Sequence, residues 1–393
     1  MACAYSVCWR RRTSIPFEQI DPEERAEDYR GRMIIRKGSQ RKFLLATVSG
    51  TTQEKDTEVF RENFRVRDYL NLRRGSEWAR RWLQAPLEEI LSTEFLGLDQ
   101  TGRQKLEFQN PPYVASFRLG GDPRDYNYAF TLQVNGCTYE CSFCFVPREL
   151  NNPHMGKGSY FSAGEILDSF CEARDYHSER KTSVRVIRLS GGEVTTLVPE
   201  LILDLNDEIN RRGMSRSVYL WIDSNLSTSK YLADLQRDLK IVARQRNVGF
   251  VGCLKSVGNR KTGRDQFSTV TKAGPEHFEK QFEVINYLVN VIGADFYLYI
   301  LPIISEDSSV ITSRLEECVD ELRKIHRNLP LRTNMLRIID YTPATANLVQ
   351  AQNEGRPLPK YDEAASFAAW YEILRDHYAE NDVVRYRCQV PLD

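Results

Sequence analysis

The strongest constraint on the fold is a regular alternation of two kinds of segment that begins after Tyr126. Short runs rich in β-branched and aromatic residues, such as "SVRVIRL" and "SVYLWI", are separated by longer amphipathic segments. This is the pattern of repeated strand–helix units, which form a parallel sheet through right-handed crossovers. Strands are predicted over 128–134, 183–189, 217–222, 248–254, 295–301 and 331–339. Helices are predicted over 162–177, 198–212, 230–246, 275–291 and 308–328. The expected fold class is α/β, a partial (β/α)6 open barrel of parallel strands with an N-terminal accessory region.

Three regions follow from this pattern. Residues 1–125 are expected to be an Arg-rich accessory region of mixed strand and helix, with two short strands within 30–50 and mostly helical material over 56–86. Residues 126–345 hold the partial barrel. Residues 346–393 are expected to supply one more helix and a short tail. Ser162 followed by Glu165 is a capping-box pattern at the start of the first barrel helix, and Pro275 suits a first helical turn.

The composition excludes several classes of protein. Lys and Arg together number 54, as do Asp and Glu, so no overall charge attracts nucleic acid or an anionic membrane. A hydrophobic share of 41% is enough for a sizeable core. We find neither a signal-like apolar start nor a run of the length needed to span a membrane, and we expect a cytoplasmic protein. The segment 71–82 mixes Arg with Trp, and we interpret it as a solvated helix rather than a base-stacking surface.

A cluster of three cysteines marks the candidate site. Cys137, Cys141 and Cys144 occupy the loop that leaves the first predicted strand, at the end of the sheet where α/β proteins carry their chemistry. Structural zinc sites need four closed ligands, whereas a cluster with three protein ligands leaves one iron open. From the residues alone, an iron–sulfur site, a zinc site completed by His154, and plain packing all stay open.

The segment "CTYECSFC" resembles the C-x3-C-x-Φ-C signature of the radical S-adenosylmethionine (SAM) enzymes, with Phe143 as the aromatic residue. In that family the three thiolates hold a [4Fe-4S] cluster whose fourth iron binds the amino and carboxylate groups of SAM. A second match, "RLSGGEVTT", follows the second predicted strand and contains the family's GGE motif at Gly191, Gly192 and Glu193. The resemblance implies that this motif holds the methionine ammonium group.

Weaker matches follow at later strand ends. Asp223, Ser224 and Asn225 resemble the "DTNG" strand end of the glycyl-radical-activating branch, with Leu226 in place of the Gly, and the resemblance implies contacts with the cofactor. Lys255 ends the fourth strand, where that branch often has a lysine facing the cofactor. Each match also fits a role without function: Asp223 could form a turn or cap a helix, and Lys255 could be a solvated surface amine.

At the last strand end, Asp340, Tyr341 and Thr342 are predicted to contact substrate. The loops 151–160 and 259–274 are candidate lids over the barrel mouth. Cys171 and Cys253 are expected to be small buried apolar residues, Cys318 and Cys388 stand alone, and Cys3 and Cys8 are assigned to a flexible N-terminal segment. A single cluster is therefore predicted.

The sequence is compatible with three functions. The first is a radical SAM enzyme whose cluster reductively cleaves SAM, forming a 5′-deoxyadenosyl radical that abstracts hydrogen from a small molecule, peptide or protein. Its net reaction, as oxidoreductase, transferase or lyase, is left open. It would need an external one-electron donor of flavodoxin or ferredoxin type. The second is an activase that places a glycyl radical on a partner enzyme. The third is a non-catalytic zinc-binding module.

Overall fold

The computed structural model of the 393-residue chain describes residues 19–56, 58–69, 84–92, 110–180, 182–302, 307–336, 342–356 and 363–392. The strands of this part are β1 Ile34–Lys37, β2 Gln40–Ala46, β3 Glu58–Arg61, β4 Phe64–Asp68, β5 Tyr128–Gln133, β6 Gly158–Phe161, β7 Val184–Ser190, β8 Tyr219–Ser224, β9 Val248–Leu254, β10 Phe296–Ile300 and β11 Thr333–Met335. Its α-helices are α1 Pro22–Met33, α2 Leu87–Ile90, α3 Asn110–Leu119, α4 Ala163–Ser178, α5 Val194–Leu197, α6 Pro199–Arg211, α7 Lys230–Asp234, α8 Gln236–Ala243, α9 Arg264–Thr271, α10 His277–Asn286, α11 Ser308–Ile325, α12 Thr342–Asn353, α13 Glu363–His377 and α14 Glu380–Val383.

The centre of the molecule is a mixed, mostly parallel sheet with the strand order β11-β10-β9-β8-β7-β5-β4-β3. The pairs from β5 to β11 are parallel, and helices connect successive strands as the sequence predicts. All six predicted strands are present, although the last covers only Thr333–Met335 and 337–339 lie outside the described residues. The α/β class is confirmed. Because β11 and β3 stand at opposite ends of this order, the described strands do not close a ring.

Side-chain alternation divides the sheet into two apolar faces. On β8, Leu220 and Ile222 belong to the core beneath the helices, whereas Tyr219 and Trp221 belong to a second cluster on the other face, here called the inner face. Successive side chains of a strand point to opposite faces, so one strand contributes to both clusters. Burial on both faces explains why the strand reads as a continuous apolar run.

The helices start and end close to the predicted positions. Ser162 caps α4 with both capping-box hydrogen bonds to Glu165, as its sequence pattern predicts. The predicted helix 230–246 is divided into α7 and α8, and Pro275 lies before the first residue of α10 instead of in its first turn. Within the part of the chain that the structure describes, no helix is both long enough and apolar enough to cross a membrane.

The N-terminal region contributes to the central sheet. The prediction of mostly helical material over 56–86 is wrong for Glu58–Arg61 and Phe64–Asp68, which form a hairpin, and β4 pairs antiparallel with β5. The segment "FRVRD" alternates apolar and charged residues with the period of a strand, and this signal outweighs the helix-forming tendency of its arginines. The two short strands predicted within 30–50 are confirmed as β1 and β2, which form a second, antiparallel sheet with β6.

The C-terminal residues are not a free tail. The expected C-terminal helix is present as α13, but the segment after it folds back against the inner face of the sheet. Tyr386 packs on Tyr113 of α3 with ring centroids 4.9 Å apart, and the Cys388 thiol lies 3.8 Å from the Tyr113 carbonyl oxygen. Arg387 is fully buried, with Nη1 donating to the Leu331 carbonyl. The expected tail therefore covers part of the inner face.

Candidate cofactor and active site

The three cysteines lie in a loop that is held in place from several sides. The backbone N–H of Cys137 donates to the Asn151 carbonyl at 3.0 Å. Further along the loop, Glu140 and Ser142 donate to the carbonyls of Thr271 and Val270, at the end of α9, at 3.0 and 2.9 Å. This places all three sulfur-bearing side chains on the wall of one cavity of about 260 Å³ at the carboxyl ends of the parallel strands.

Nitrogen donors face two of the sulfurs. The Asn225 amide donates to Cys137 Sγ at 3.4 Å. Cys144 Sγ accepts from the Val146 backbone N–H at 3.4 Å and from the Asn151 amide at 3.7 Å. Such donors suit a sulfur that carries negative charge, and N–H···S bonds are a recognised means of tuning iron–sulfur clusters. The arrangement therefore fits thiolate ligands.

Without a bound metal, protonated thiols are favoured. The side chains border the cavity, but each sulfur is surrounded by protein, and this burial raises the pKa of Cys137 to about 12. Burial also raises the pKa of Cys141 and of Cys144. A metal or cluster that binds here must displace these protons, so its binding is expected to be favoured by higher pH.

The glycine pair packs directly against the start of the cysteine loop. Gly191 has φ = 92°, a conformation that favours glycine. A Cβ on Gly192 would lie 2.3 Å from the carbonyl oxygens of Gly136 and Val134, so a larger residue cannot be accommodated without backbone movement. The Glu193 backbone N–H donates to the Gly136 carbonyl at 2.8 Å. Gly191 and Gly192 both line the cavity.

Glu193 differs from its glycine neighbours. Its side chain is fully buried and caps the short helix α5, with the Thr196 N–H donating at 3.2 Å. The Thr195 hydroxyl and the Asn225 N–H also donate to this carboxylate, which is not among the described residues that line the cavity. Burial raises the pKa of Glu193, while these donors act in the opposite direction. In this structure Glu193 orders the loop, and the contact with a cofactor ammonium group stays a prediction.

The end of β8 brings the next three predicted residues to the cavity wall. Asp223 accepts from Arg188 Nη2 and from the Ser190 hydroxyl, both at 2.6 Å. The hydroxyls of Ser224 and Thr195 are 2.7 Å apart. Asp223, Ser224 and Asn225 all line the cavity. Each is anchored by the neighbouring strand or loop, which gives the wall a defined polar surface.

Leu226 shows why the motif can lack its glycine. Its φ is 61°, the left-handed conformation for which the glycine of a "DTNG" segment is suited. The Ser224 hydroxyl accepts from the Leu226 N–H at 3.0 Å, and the leucine side chain is fully buried. The backbone therefore adopts this turn with a leucine, and the buried side chain offsets the steric cost.

Lys255 and Phe143 meet beside the cysteines. The Lys255 ammonium nitrogen is 5.6 Å from the Phe143 ring centroid, and both residues line the cavity. Desolvation acts to lower the pKa of Lys255, but the nearby Cys253 and Cys141 sulfurs outweigh it and the pKa is raised. The structure places Cys253 partly exposed on the cavity wall, so the expectation of a buried apolar role is wrong.

Of the three predicted substrate residues, the structure describes Thr342 alone. Asp340 and Tyr341 lie outside the described residues. Thr342 begins α12 and borders a separate shallow depression with Thr345, Val349 and other residues of that helix. Thr342 is not among the described residues of the cysteine cavity. The role predicted for Thr342 therefore has no support in the geometry.

His154, considered as a fourth zinc ligand, is occupied elsewhere. Its Nε2 lies 2.7 Å from Asp28 Oδ2, and its ring packs edge-on against Tyr29 with centroids 5.7 Å apart. Among the described residues, no three His, Cys, Asp or Glu side chains converge as they would on a single metal ion.

The two predicted lid loops are partly regular structure. The loop 151–160 continues into β6, which pairs with β2, and the segment 259–274 contains α9, whose end anchors the cysteine loop. Neither segment is a long irregular connection, and a lid role for either stays a prediction.

Sequence reasoning missed the part of the wall that comes from β4 and from the short 3-10 helix Thr52–Asp56, which precedes the hairpin. Arg65, Arg67 and Tyr69 line the cavity from alternate positions, and Gln53 of the 3-10 helix lines the same cavity. The alternation in "FRVRDY" is the signal that could have found them. The inner face adds Arg188, Trp221 and Tyr299 to the same wall.

Comparison with known proteins finds distant structural likenesses. No family model matches the sequence, and no protein of curated function matches it. Among solved structures, a spore photoproduct lyase variant with bound AdoMet and a dinucleoside spore photoproduct has a TM-score of 0.42 at 13% identity, over 65% of this chain and 75% of that chain. A second variant of that lyase has a TM-score of 0.42 at 15% identity, over the same shares of the two chains. A spore photoproduct lyase in complex with dinucleoside spore photoproduct has a TM-score of 0.36 at 16% identity, over 56% of this chain and 59% of that chain. Likeness at this level carries no conclusion about this chain.

Proposed function

We propose that this protein is a radical SAM enzyme with a [4Fe-4S] cluster bound by Cys137, Cys141 and Cys144. The observation that carries the proposal is the meeting of these three thiols with Gly191 and Gly192 on one cavity wall at the carboxyl ends of the strands. Cysteines and glycines that lie one strand–helix unit apart in sequence thus form a single site. Neither motif has this specificity alone, since a Gly-Gly-acid segment is an ordinary turn.

The residues present fit the cluster. The three cysteine side chains border one cavity, and nitrogen donors point at two of their sulfurs, as expected for ligands that carry negative charge. The positive charge of Lys255 acts to lower the pKa of Cys141 and of Cys137, and so favours their thiolate forms. The close approach of Gly192 to the Gly136 carbonyl keeps the cysteine loop beside the second strand end. When bound, the cluster would supply the electron that cleaves SAM into methionine and a 5′-deoxyadenosyl radical.

The chain's own residues would bind SAM and hold it in position. The polar groups of Asp223, Ser224 and Asn225 offer hydrogen bonds to the amino and ribose groups of SAM, and the open backbone at Gly191 and Gly192 allows its methionine end to approach. The aromatic rings of Trp221 and Tyr299 line the rest of the wall and exclude water from a reacting radical. A flavodoxin- or ferredoxin-type donor would supply the electron.

The proposal is tested by anaerobic iron–sulfur reconstitution, followed by iron, sulfide and zinc analysis and a dithionite-driven assay for 5′-deoxyadenosine from SAM. A brown protein with about four iron and four sulfide per chain that forms 5′-deoxyadenosine is expected. Cys141→Ala should lose both properties, whereas Cys253→Ala, which changes a wall thiol outside the triad, should keep its cluster. A colourless protein with one zinc per chain and no 5′-deoxyadenosine would overturn the proposal.

A further inference from the structure

The cavity wall contributed by β4 carries an unusual concentration of positive charge. β4 pairs with β5 so that Arg65 is opposite Thr131 and Arg67 is opposite Ala129. Phe64 and the other apolar residue of β4 pack into the core beneath the helices, which directs the two arginines to the cavity. The two guanidinium groups thus belong to alternate residues on one face of one strand.

Among the described residues, no carboxylate lies within 4.0 Å of Arg67. Its guanidinium carbon is 5.4 Å from the Tyr69 ring centroid. Across the cavity, Arg188 and Lys255 add two more cationic groups, whereas Asp223 is the one carboxylate among the described lining residues and is bonded to Arg188. The excess is local, since acidic and basic residues balance over the whole chain. Such a concave, cationic site raises the local concentration of anions.

Gln53 adds a second, independent observation. This side chain is 2% exposed and lines the cavity, yet neither its amide nitrogen nor its amide oxygen has a hydrogen-bond partner among the described residues. A buried amide without partners is costly, and such groups are usually satisfied by a ligand or by water. Gln53 therefore offers an amide donor and an amide acceptor to a ligand in the cavity that the β4 arginines also line.

We propose that Arg65, Arg67 and Gln53 bind the phosphate group of a small phosphorylated substrate. This deepens the proposed function and rests on it, since the cavity is the same. Two guanidinium groups and an amide N–H can donate to three phosphate oxygens at once, and arginine forks match phosphate geometry bidentately. A cavity of about 260 Å³ is suited to a small molecule, and the balanced net charge argues against an extended nucleic-acid surface. The proposal thus assigns substrate recognition to the wall contributed by β4.

The test is isothermal titration of the reconstituted, SAM-saturated protein with inorganic phosphate, and with acetate as the carboxylate probe. We expect phosphate to bind, acetate to bind at least tenfold more weakly, and Arg67→Gln to raise the phosphate Kd about ten- to a hundredfold. Arg65→Gln should act in the same direction, and Gln53→Leu should raise the Kd severalfold. Arg61→Gln is the matched control, because Arg61 lies on the same hairpin, pairs with the exposed Glu172 and is outside the cavity.

Three outcomes overturn the inference. If the wild-type protein does not bind phosphate, or if Arg67→Gln and Arg61→Gln bind it equally well, the proposed site is wrong. If acetate binds as tightly as phosphate, the site is not specific for phosphate. A parallel loss of SAM affinity in Arg67→Gln would mean that the arginine holds the cofactor carboxylate. If Arg67→Gln fails to fold, Arg67→Lys, which keeps the charge but loses the fork, is expected to weaken phosphate binding partially. A wild-type protein that binds phosphate through Arg67 but forms no 5′-deoxyadenosine would overturn the proposed function alone.

Discussion

Asn225 at the end of β8 donates its side-chain amide to the sulfur of Cys137 at 3.4 Å and to the hydroxyl of Thr138 at 2.9 Å. The two partners are 88 and 87 positions away in sequence. The Asn225 backbone N–H also donates to Glu193, so this residue joins the cysteine loop to the glycine segment. Asn225 is therefore placed both to position the site and to tune the charge on one sulfur.

Replacing Asn225 with Ala should make the reconstituted cluster harder to reduce. A hydrogen bond to a cluster sulfur stabilises the more negative, reduced state. Its loss, at about 1 kcal/mol, corresponds to a midpoint potential about 40 mV more negative for a one-electron couple. The measurement is an anaerobic redox titration followed by electron paramagnetic resonance. Asn290→Ala, at an exposed position, is the control, and equal potentials in all three proteins would contradict the tuning role.

Gly192→Ala should destabilise the protein and disrupt the cysteine loop. The added Cβ would lie 2.3 Å from two backbone carbonyl oxygens, and neither can move like the end of a flexible side chain. We expect a loss of several kcal/mol in the free energy of unfolding, typical of severe steric overlap. Urea denaturation measures it. Gly31→Ala is the matched control: Gly31 is an exposed residue of helix α1 with open space around it, and this change should be neutral or stabilise by about 0.5–1 kcal/mol. Equal stability of Gly192→Ala and wild type would refute the close-packing argument.

At Leu226, substitution by glycine should destabilise the protein less than substitution by alanine, the reverse of the usual order. Leu226→Ala loses the buried side chain and keeps the strained φ of 61°, so it should cost about 2–5 kcal/mol of unfolding free energy. Leu226→Gly loses the same packing but removes the steric strain, which is worth about 1–2 kcal/mol. The glycine variant is therefore expected to be the more stable of the two in urea denaturation. If alanine proves the better replacement, the left-handed conformation at this position is not strained.

Asp295 should make stability depend on pH in the acidic range. It is buried beside Arg332 and Arg118, with Arg118 Nη2 at 2.6 Å, and removing the charge in Asp295→Asn leaves both cations without their partner. We expect a loss of about 3–5 kcal/mol near neutral pH. Burial acts to raise the pKa of Asp295, but the two arginines outweigh it and the pKa lies below its ordinary value of 3.8.

The sign of the pH effect follows from that shift. Because the folded-state pKa is depressed, the contribution of Asp295 is complete above about pH 4 and declines as the pH falls through the lower, folded-state value. The stability gap between wild type and Asp295→Asn should therefore narrow below pH 4. Urea denaturation between pH 7 and pH 3 measures the gap, with the exposed Asp320→Asn as control. A gap that is small at pH 7, or that widens in acid, would contradict the ion-pair assignment.

Several features of the fold and the site were predictable because their signals are local. The strand Val184–Ser190 and the capping box of Ser162 are encoded within a few consecutive residues. The spacing of Cys137, Cys141 and Cys144 is likewise a local pattern, and the alternation of strands and helices places it at the carboxyl edge of the sheet. Cys253 was misjudged because its position within a strand does not reveal which face its side chain occupies.

The sequence by itself determined the α/β class, the order of the parallel strands along the chain and the loop that bears the three cysteines, since periodicity and motif spacing act over short distances. Only the tertiary structure decided that Arg65 and Arg67 belong to the cavity, because their placement depends on the pairing of β4 with β5, some sixty residues later. It also decided that the Glu193 carboxylate is enclosed by donors from α5 and β8, and that Leu226 adopts a glycine-like turn. Contacts of this kind arise when distant segments pack together, so no short stretch of sequence contains the information that specifies them.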